Sequence, residues 1–263
     1  MKNYYYVHTG HRIGLDRFRR AASIVRELQK KDVDITLLCS DFRIAGDARH
    51  HGIDKAVGLD VVRNIPYIAN YGDNLIFDSD EANPIMLEDM KEFFTNFIQM
   101  HVDEVVVDEK YFKTYKKTIP LSFFFGDDDY EKDLEHLIPT LKELDLSLLM
   151  GYYYFFDFED TLEEIFPSTY PAEDYDEVIT SSKVLISSSP QAVLESLASG
   201  GKPIYLKRED YGNSFDNVIN KFNIPIVKSL DLGQIKELLS TISNHRYHTI
   251  SKNPLNFLSF MVP

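Results

Sequence analysis

Three consecutive serines, Ser187, Ser188 and Ser189, stand directly before Pro190. Hydroxyls at a helix start, together with the free N–H groups and the positive end of the helix dipole, suit an anion such as a phosphate or carboxylate. The same residues also make a well-capped strand-to-helix connection, with Ser189 as N-cap and Pro190 at a first helical position that needs no N–H. Both readings are open at this point. Asp108 follows the apolar run Val105 to Val107, with Tyr111 just beyond. A carboxylate at the C-terminal end of a strand can accept a sugar hydroxyl or take a proton, and it can equally cap the next helix. Arg12, Arg17, Arg19, Arg20 and Arg26 are five of the ten arginines and form a basic island. The island either holds a diphosphate or is a helix face whose arginines pair with nearby acids. Asp127, Asp128 and Asp129 invite a metal, but adjacent side chains do not converge as spaced ligands do. A loop with Asp129 capping the next helix is expected instead, without metal or cofactor.

These residues need a scaffold that brings strand ends together, and the hydrophobic pattern supplies one. Tyr4 to Thr9 reads as a strand, followed by a turn, Gly10 to Gly14, and a helix with Leu15, Phe18, Ala22, Val25 and Leu28 on one face. Ile35 to Cys39 is the next strand, so the chain opens as βαβ and implies a parallel sheet. Arg43 to Asp80 is patterned weakly, as small strands and loops. One long helix is expected from Asn83 through Leu87, Met90, Phe93, Phe94, Phe97 and Ile98, then strands at Glu104–Asp108 and Leu121–Phe125. A helical segment from Tyr130 to Leu144, broken or kinked at Pro139, follows. Leu146 to Met150 is a strand, and Tyr152 to Phe156 is read as an aromatic run within a strand. Val184 to Ile186 feeds a helix carrying Val193, Leu194, Leu197 and Ala198, stopped at Gly200 or Gly201. Strands at Pro203–Leu206 and Ile224–Val227 alternate with helices at Asn213–Lys221 and Ile235–Ile242. The fold class is α/β, two Rossmann-like domains with parallel sheets: 1–126, a linker helix 127–145, and 146–263 ending in an apolar tail.

With 263 residues and 44% hydrophobic content the chain can bury two cores. Its single cysteine, Cys39, forms no internal disulfide, which suits a reducing compartment. The first residues lack the apolar core of a signal peptide and no apolar run approaches the ~18 residues of a membrane span. A cytoplasmic protein without an integral membrane segment is expected. A net charge of −14 argues against nucleic acid as the main partner.

The segment Ile13-Gly14-Leu15-Asp16-Arg17-Phe18-Arg19-Arg20, the strand ending in Asp108 with Tyr111, and Leu185 to Ser189 through Glu195 to Pro203 together resemble one known family. It is the UDP-sugar hydrolase family of pseudaminic acid biosynthesis, a GT-B family related to the glycosyltransferase that makes lipid II. The resemblance covers most of the chain. It implies a nucleotide sugar, a UDP-sugar by preference, as ligand, and a place in surface-glycan or flagellar-sugar synthesis. It implies the phosphates at Ser187, Ser188 and Ser189, with Gln191 beside them and Glu195 near the ribose, and it adds Gly14, Arg17 and Tyr111 to the substrate site. Two departures stand out. The family's catalytic histidine aligns with Arg17, which stays charged and is no general base. The family's glycine pair after the strand at Met150 is here Gly151 followed by Tyr152, and a tyrosine there would crowd a diphosphate. In an alternative register Thr9-Gly10-His11 resembles the histidine motif, making His11 a candidate base alongside Asp108.

Two functions follow: a nucleotide-sugar hydrolase or glycosyltransferase, or a protein that keeps the fold, has lost the chemistry and binds a nucleotide sugar, a glycan or a protein. A structural role through the apolar tail after Asn253 is a third.

Overall fold

The computed structural model describes residues 1–102, 104, 106–154, 156–229, 231–252 and 258. They form two compact units, Met1–Val106 with Leu258, and Val107–Lys252. The expected apolar tail lies outside the described residues except for Leu258, which is buried.

The first unit is built from β1 (Asn3–Val7), α1 (Asp16–Gln29), β2 (Ile35–Cys39), α2 (Phe42–Asp47), β3 (Ala56–Gly58), β4 (Asn74–Asp78), α3 (Pro84–Phe93) and β5 (Asn96–Gln99), with a 3₁₀ turn at Val62–Tyr67. Its strands lie in the order β3-β2-β1-β4-β5, all parallel. Tyr4 to Val7 and Leu75 to Phe77 are buried on both faces, as parallel strands covered by crossover helices must be. Register is pinned by a chain of amides at the strand starts: Asn96 donates to Asn74 (2.8 Å), Asn74 to Asn3 (2.8 Å), and Asn3 to the Asp34 carbonyl (3.0 Å).

The second unit contains β6 (Ile119–Phe124), α4 (Leu134–Leu141), β7 (Ser147–Leu149), α5 (Phe156–Ile165), β8 (Thr169–Tyr170), α6 (Tyr175–Ser181), β9 (Ser182–Ser187), α7 (Pro190–Ala198), β10 (Lys202–Leu206), α8 (Asp216–Lys221), β11 (Ile226–Val227) and α9 (Leu232–Thr241). Its parallel sheet runs β11-β10-β9-β6-β7-β8. Read from its first strand, each sheet winds outward one way and then the other, the doubly wound order of nucleotide-binding folds. The winding reverses between β1 and β4 in the first unit and between β6 and β9 in the second. Crevices outside the carboxyl ends of those two strand pairs are where such sheets take ligands.

Four expectations need correction. The helix expected to run through Ile98 stops at Phe93: Phe94 turns extended (φ −99°, ψ 139°) and Phe97 and Ile98 lie in β5, paired with Leu75 and Ile76. Apolar steps of three and four residues fit both states there, and the unpaired edge of β4 decides for a strand. Of the strand expected at 104–108, residue 105 lies outside the described residues and Val106 to Asp108 are irregular. The strand at Leu121–Phe125, expected to close the N-terminal half, is β6 at the centre of the second sheet, paired with β9 from Ile119 to Phe124. In the aromatic run, residue 155 lies outside the described residues, Tyr152 and Tyr153 form a turn, and α5 begins at Phe156 in place of a strand.

Candidate functional site

The serine turn is positioned by local chemistry. β9 ends at Ser187 beside Phe124 of β6, and α7 starts three residues later, at Pro190, at the reversal of the second sheet. Ser189 is extended (φ −83°, ψ 115°) and its hydroxyl accepts from the Ala192 N–H at 3.0 Å, the N-cap bond. The Ser187 hydroxyl accepts from the Ser189 N–H (3.0 Å) and the Ser188 N–H donates to the Phe124 carbonyl (3.2 Å). Gly200, at φ +80°, supplies the left-handed stop after α7. Capping thus already engages several donors at this helix start. The Ser188 hydroxyl is different: it is fully buried and has no hydrogen-bond partner among the described residues.

One turn along α7, Glu195 is buried and both its oxygens are engaged. Gln191 Nε2 donates to Oε1 (2.9 Å) and the Tyr175 hydroxyl, from α6, donates to Oε2 (2.7 Å). Asp108 and Tyr111 belong to this unit and not to the first. Asp108 Oδ1 accepts from the Lys110 N–H (2.8 Å), capping the 3₁₀ turn Glu109–Phe112. That turn packs against α7. Tyr111 donates its hydroxyl to Asp176, which also pairs with Lys110. Burial first, and then the negative charges of Glu195 and Asp176, push the Tyr111 hydroxyl well above its ordinary range, so it acts as a neutral donor. The structure therefore groups Ser187, Ser188, Ser189, Gln191, Glu195 and Tyr111 through α7 and its neighbours. Tyr175 and Asp176 complete the network; the tyrosine preceding an acidic helix start was their only signal in the sequence.

The other strand ends of this sheet carry the acidic loop. Its three carboxylates diverge: Asp127 accepts from the Tyr152 N–H (3.1 Å), Asp128 pairs with Arg208 (2.9 Å) and Tyr211 (2.9 Å), and Asp129 accepts from the N–H groups of Asp133 (2.7 Å) and Leu134 (3.1 Å). The expected N-cap role of Asp129 is corrected: α4 begins at Leu134 with Asp133 at the N-cap position, and Asp129, four residues before it, satisfies the N–H groups of that helix start from outside. Burial raises the Asp129 carboxyl to about 6. Arg208 lies over the rings of Phe125 and Tyr211, at 4.9 and 4.5 Å. Gly151 is required by close packing, since a Cβ there would stand 2.3 Å from the Gly126 carbonyl oxygen and 2.6 Å from the Tyr154 ring.

His11, Gly14 and Arg17 lie in the first unit. The turn after β1 closes on itself: Ile13 and Gly14 N–H groups both bond the Gly10 carbonyl (2.9 and 2.8 Å), and the Thr9 hydroxyl donates to the Gly14 carbonyl. Gly14 adopts φ +76°, which a side chain would strain. His11 is exposed on a cleft of about 580 Å³ that it shares with His8, Arg12, Asp41, Arg43 and Glu81. Arg17 grips Asp80 with two parallel bonds, 2.9 and 3.1 Å, and His8 Nδ1 lies 3.1 Å from the same carboxylate. The Arg17 bonds are the main cause holding Asp80 well below the usual carboxylate range. Three more arginines of the basic island are also engaged: Arg19 pairs with Asp16 (3.3 Å), Arg20 with Asp78, and Arg26 with the His51 carbonyl. Of the two readings of these arginines, pairing with acids and carbonyls is the observed one for 17, 19, 20 and 26.

No protein-family model and no curated protein matches the sequence. Solved structures do match in fold. The spinosyn rhamnosyltransferase SpnG, solved with thymidine diphosphate, superposes with a TM-score of 0.58 at 7% identity over 92% of each chain. The Methanocaldococcus jannaschii UDP-GlcNAc 2-epimerase, solved with UDP-GlcNAc and UDP, gives 0.58 at 9% identity over 99% of this chain and 100% of that one. Acinetobacter baumannii MurG gives 0.50 at 11% identity over 92% of both. The chain has the GT-B fold. Identities of 7 to 11% make this a likeness of architecture, and the assignment of ligand to this GT-B chain rests on its own residues. Among the described residues no helix is long and apolar enough to cross a membrane.

Proposed function

We propose that this GT-B protein binds a nucleotide-activated sugar, with the diphosphate at the start of α7 and the ribose against Glu195. One observation carries the reading: the buried Ser188 hydroxyl, without a partner among the described residues, at the reversal of the second sheet and at a helix N-terminus. A buried polar group left unmade costs about 1–3 kcal/mol, and a phosphate oxygen accepting from it would recover that cost with the favourable helix dipole. The family resemblance points to UDP and to the hydrolase of pseudaminic acid biosynthesis as the finer form of this reading, with His11 or Asp108 as base.

A second form, binding without turnover, is favoured by a specific arrangement. Arg17, which stands where the family has its histidine, is committed to Asp80, and Asp108 caps a 3₁₀ turn. Calorimetric titration of the chain with UDP, dTDP, ADP and CMP and their sugars tests binding. Saturable binding of one nucleotide is expected, weakened roughly tenfold or more in Ser188→Ala by loss of a bond to a charged group. No binding of any nucleotide would overturn the proposal. Release of nucleotide from a bound sugar nucleotide distinguishes enzyme from binder, and a His11→Ala variant with unchanged turnover would remove His11 as the base.

A further inference from the structure

The first unit carries an apolar groove that the proposed nucleotide site does not use. It encloses about 210 Å³ between the 3₁₀ turn Val62–Tyr67 and α3, with Ile65, Pro66, Met86, Met90 and Phe93 among its walls. Large apolar side chains stand beside it in water: Tyr67 at the end of the turn is 87% exposed, Tyr71 is 80% exposed and set edge-on to Phe93 at 5.9 Å, and Ile85 in the first turn of α3 is 74% exposed. Apolar knobs this exposed, next to an apolar hole, mark a surface that another molecule covers.

The charges at the groove choose the occupant. Arg63 lies on the turn and Asp89 on α3, both exposed and both lining the groove. Neither side chain makes an ion pair or hydrogen bond with any described residue, whereas the neighbouring Glu88 on α3 pairs with Lys91 at 2.7 Å. A ligand segment of one sign would meet a like charge on one wall. A second copy related by a two-fold axis running along the groove meets none, because that axis exchanges the two walls. Arg63 of each copy then lies over Asp89 of the other, and the exposed Tyr67 and Ile85 of each are presented to the other's groove. One patch holding knob and hole, and both signs of charge, is what an isologous contact requires.

We propose that this face is a two-fold interface between copies of the chain. The inference is independent of the nucleotide reading, since it uses none of the residues at α7, β6 or the turn after β1. Sedimentation velocity of the full chain over a wide concentration range is expected to show a monomer–dimer equilibrium. Ile85→Glu places a charge in the buried patch and shifts the chain to monomer. Arg63→Glu and Asp89→Arg each juxtapose like charges across the axis and weaken the dimer roughly tenfold or more. The double variant Arg63→Glu with Asp89→Arg restores opposite pairing and recovers it. All three positions are exposed, and circular dichroism of each variant confirms that the fold is intact. A chain that stays monomeric at every concentration overturns the proposal, as does a dimer indifferent to Ile85→Glu. A double variant no stronger than the single ones overturns the two-fold arrangement.

Discussion

Arg17 and Arg20 sit three residues apart in a stretch that reads as one basic island, and the structure makes them energetically unlike. Arg20 is 6% exposed and Asp78 1%. Arg20 Nε and Nη2 grip the two Asp78 oxygens at 3.0 and 2.5 Å, while Nη1 donates to the carbonyls of His101 (2.8 Å) and Glu104 (3.0 Å). Arg20→Ala would leave a buried carboxylate with the Tyr5 hydroxyl at 2.9 Å as its remaining side-chain donor among the described residues, and two carbonyls without their arginine. Breaking a buried pair from one side costs about 3–5 kcal/mol. Arg17 makes an equally good bidentate pair, but the Asp80 side chain is 66% exposed, and pairs in water contribute about 0–1 kcal/mol. In thermal unfolding the first variant should lose on the order of 10 °C and the second no more than about 4 °C. Arg20→Lys should recover only part of the loss, because one ammonium cannot reproduce the planar fork and the carbonyl bonds together. Equal, small losses for Arg17→Ala and Arg20→Ala would refute the reasoning, since they would mean that Asp78 is solvated.

Gly151→Ala should destabilise the second unit by about 1–3 kcal/mol or abolish its folding, because the new methyl meets the backbone of Gly126 and Asp127 and not merely flexible side chains; denaturant midpoints measure it, and an unchanged midpoint contradicts the packing. The Asp129 carboxyl, raised by burial to about 6 from an ordinary 3.8, binds its proton more tightly folded than unfolded. Its contribution is therefore most favourable at low pH and is lost as pH climbs from about 4 through 6; Asp129→Asn should remove that slope from a stability–pH profile, and a persisting slope would assign it elsewhere. Lys117, half-buried and donating to the Thr180 carbonyl (2.7 Å) and the Ser199 hydroxyl (3.2 Å), has its amine lowered by desolvation from 10.5 to about 8. The unfolded chain holds that proton more tightly, so this group adds stability as pH rises from about 8 towards 10.5. A ¹³C-methylated lysine resonance titrating near 8 and lost in Lys117→Met would verify it, and titration near 10.5 would refute it.

Much of the serine turn was legible because its determinants are local. Ser189, Pro190 and Gly200 act on their own backbone or on N–H groups within three residues, and the structure shows them in those roles. The same holds for β2, whose limits Ile35 and Cys39 are those of a short apolar run. The fate of Phe97 and Ile98 was not legible, since their spacing suits helix and strand alike and the choice was made by the open edge of β4, some twenty residues back. Nor was the pairing of Arg17 with Asp80 or of Arg20 with Asp78, groups 63 and 58 residues apart. The placement of Asp108 and Tyr111 beside α7 came with the assignment of β6 to the second sheet, opposite what their position before Gly126 suggested.

By itself, then, the sequence determined the α/β class, the alternation that makes both sheets parallel, and the capped start of α7 with its serines. Those follow from hydrophobic period, from φ restrictions at proline and glycine, and from hydrogen bonds that span a few residues. Only the tertiary structure decided which arginines are neutralised, which donors at α7 remain to be satisfied, and where the first unit gives way to the second. These depend on which distant strand edges and carboxylates meet, and that is settled by burial and pairing over the whole chain, where a charge is worth little in water and several kcal/mol once its partner is out of it.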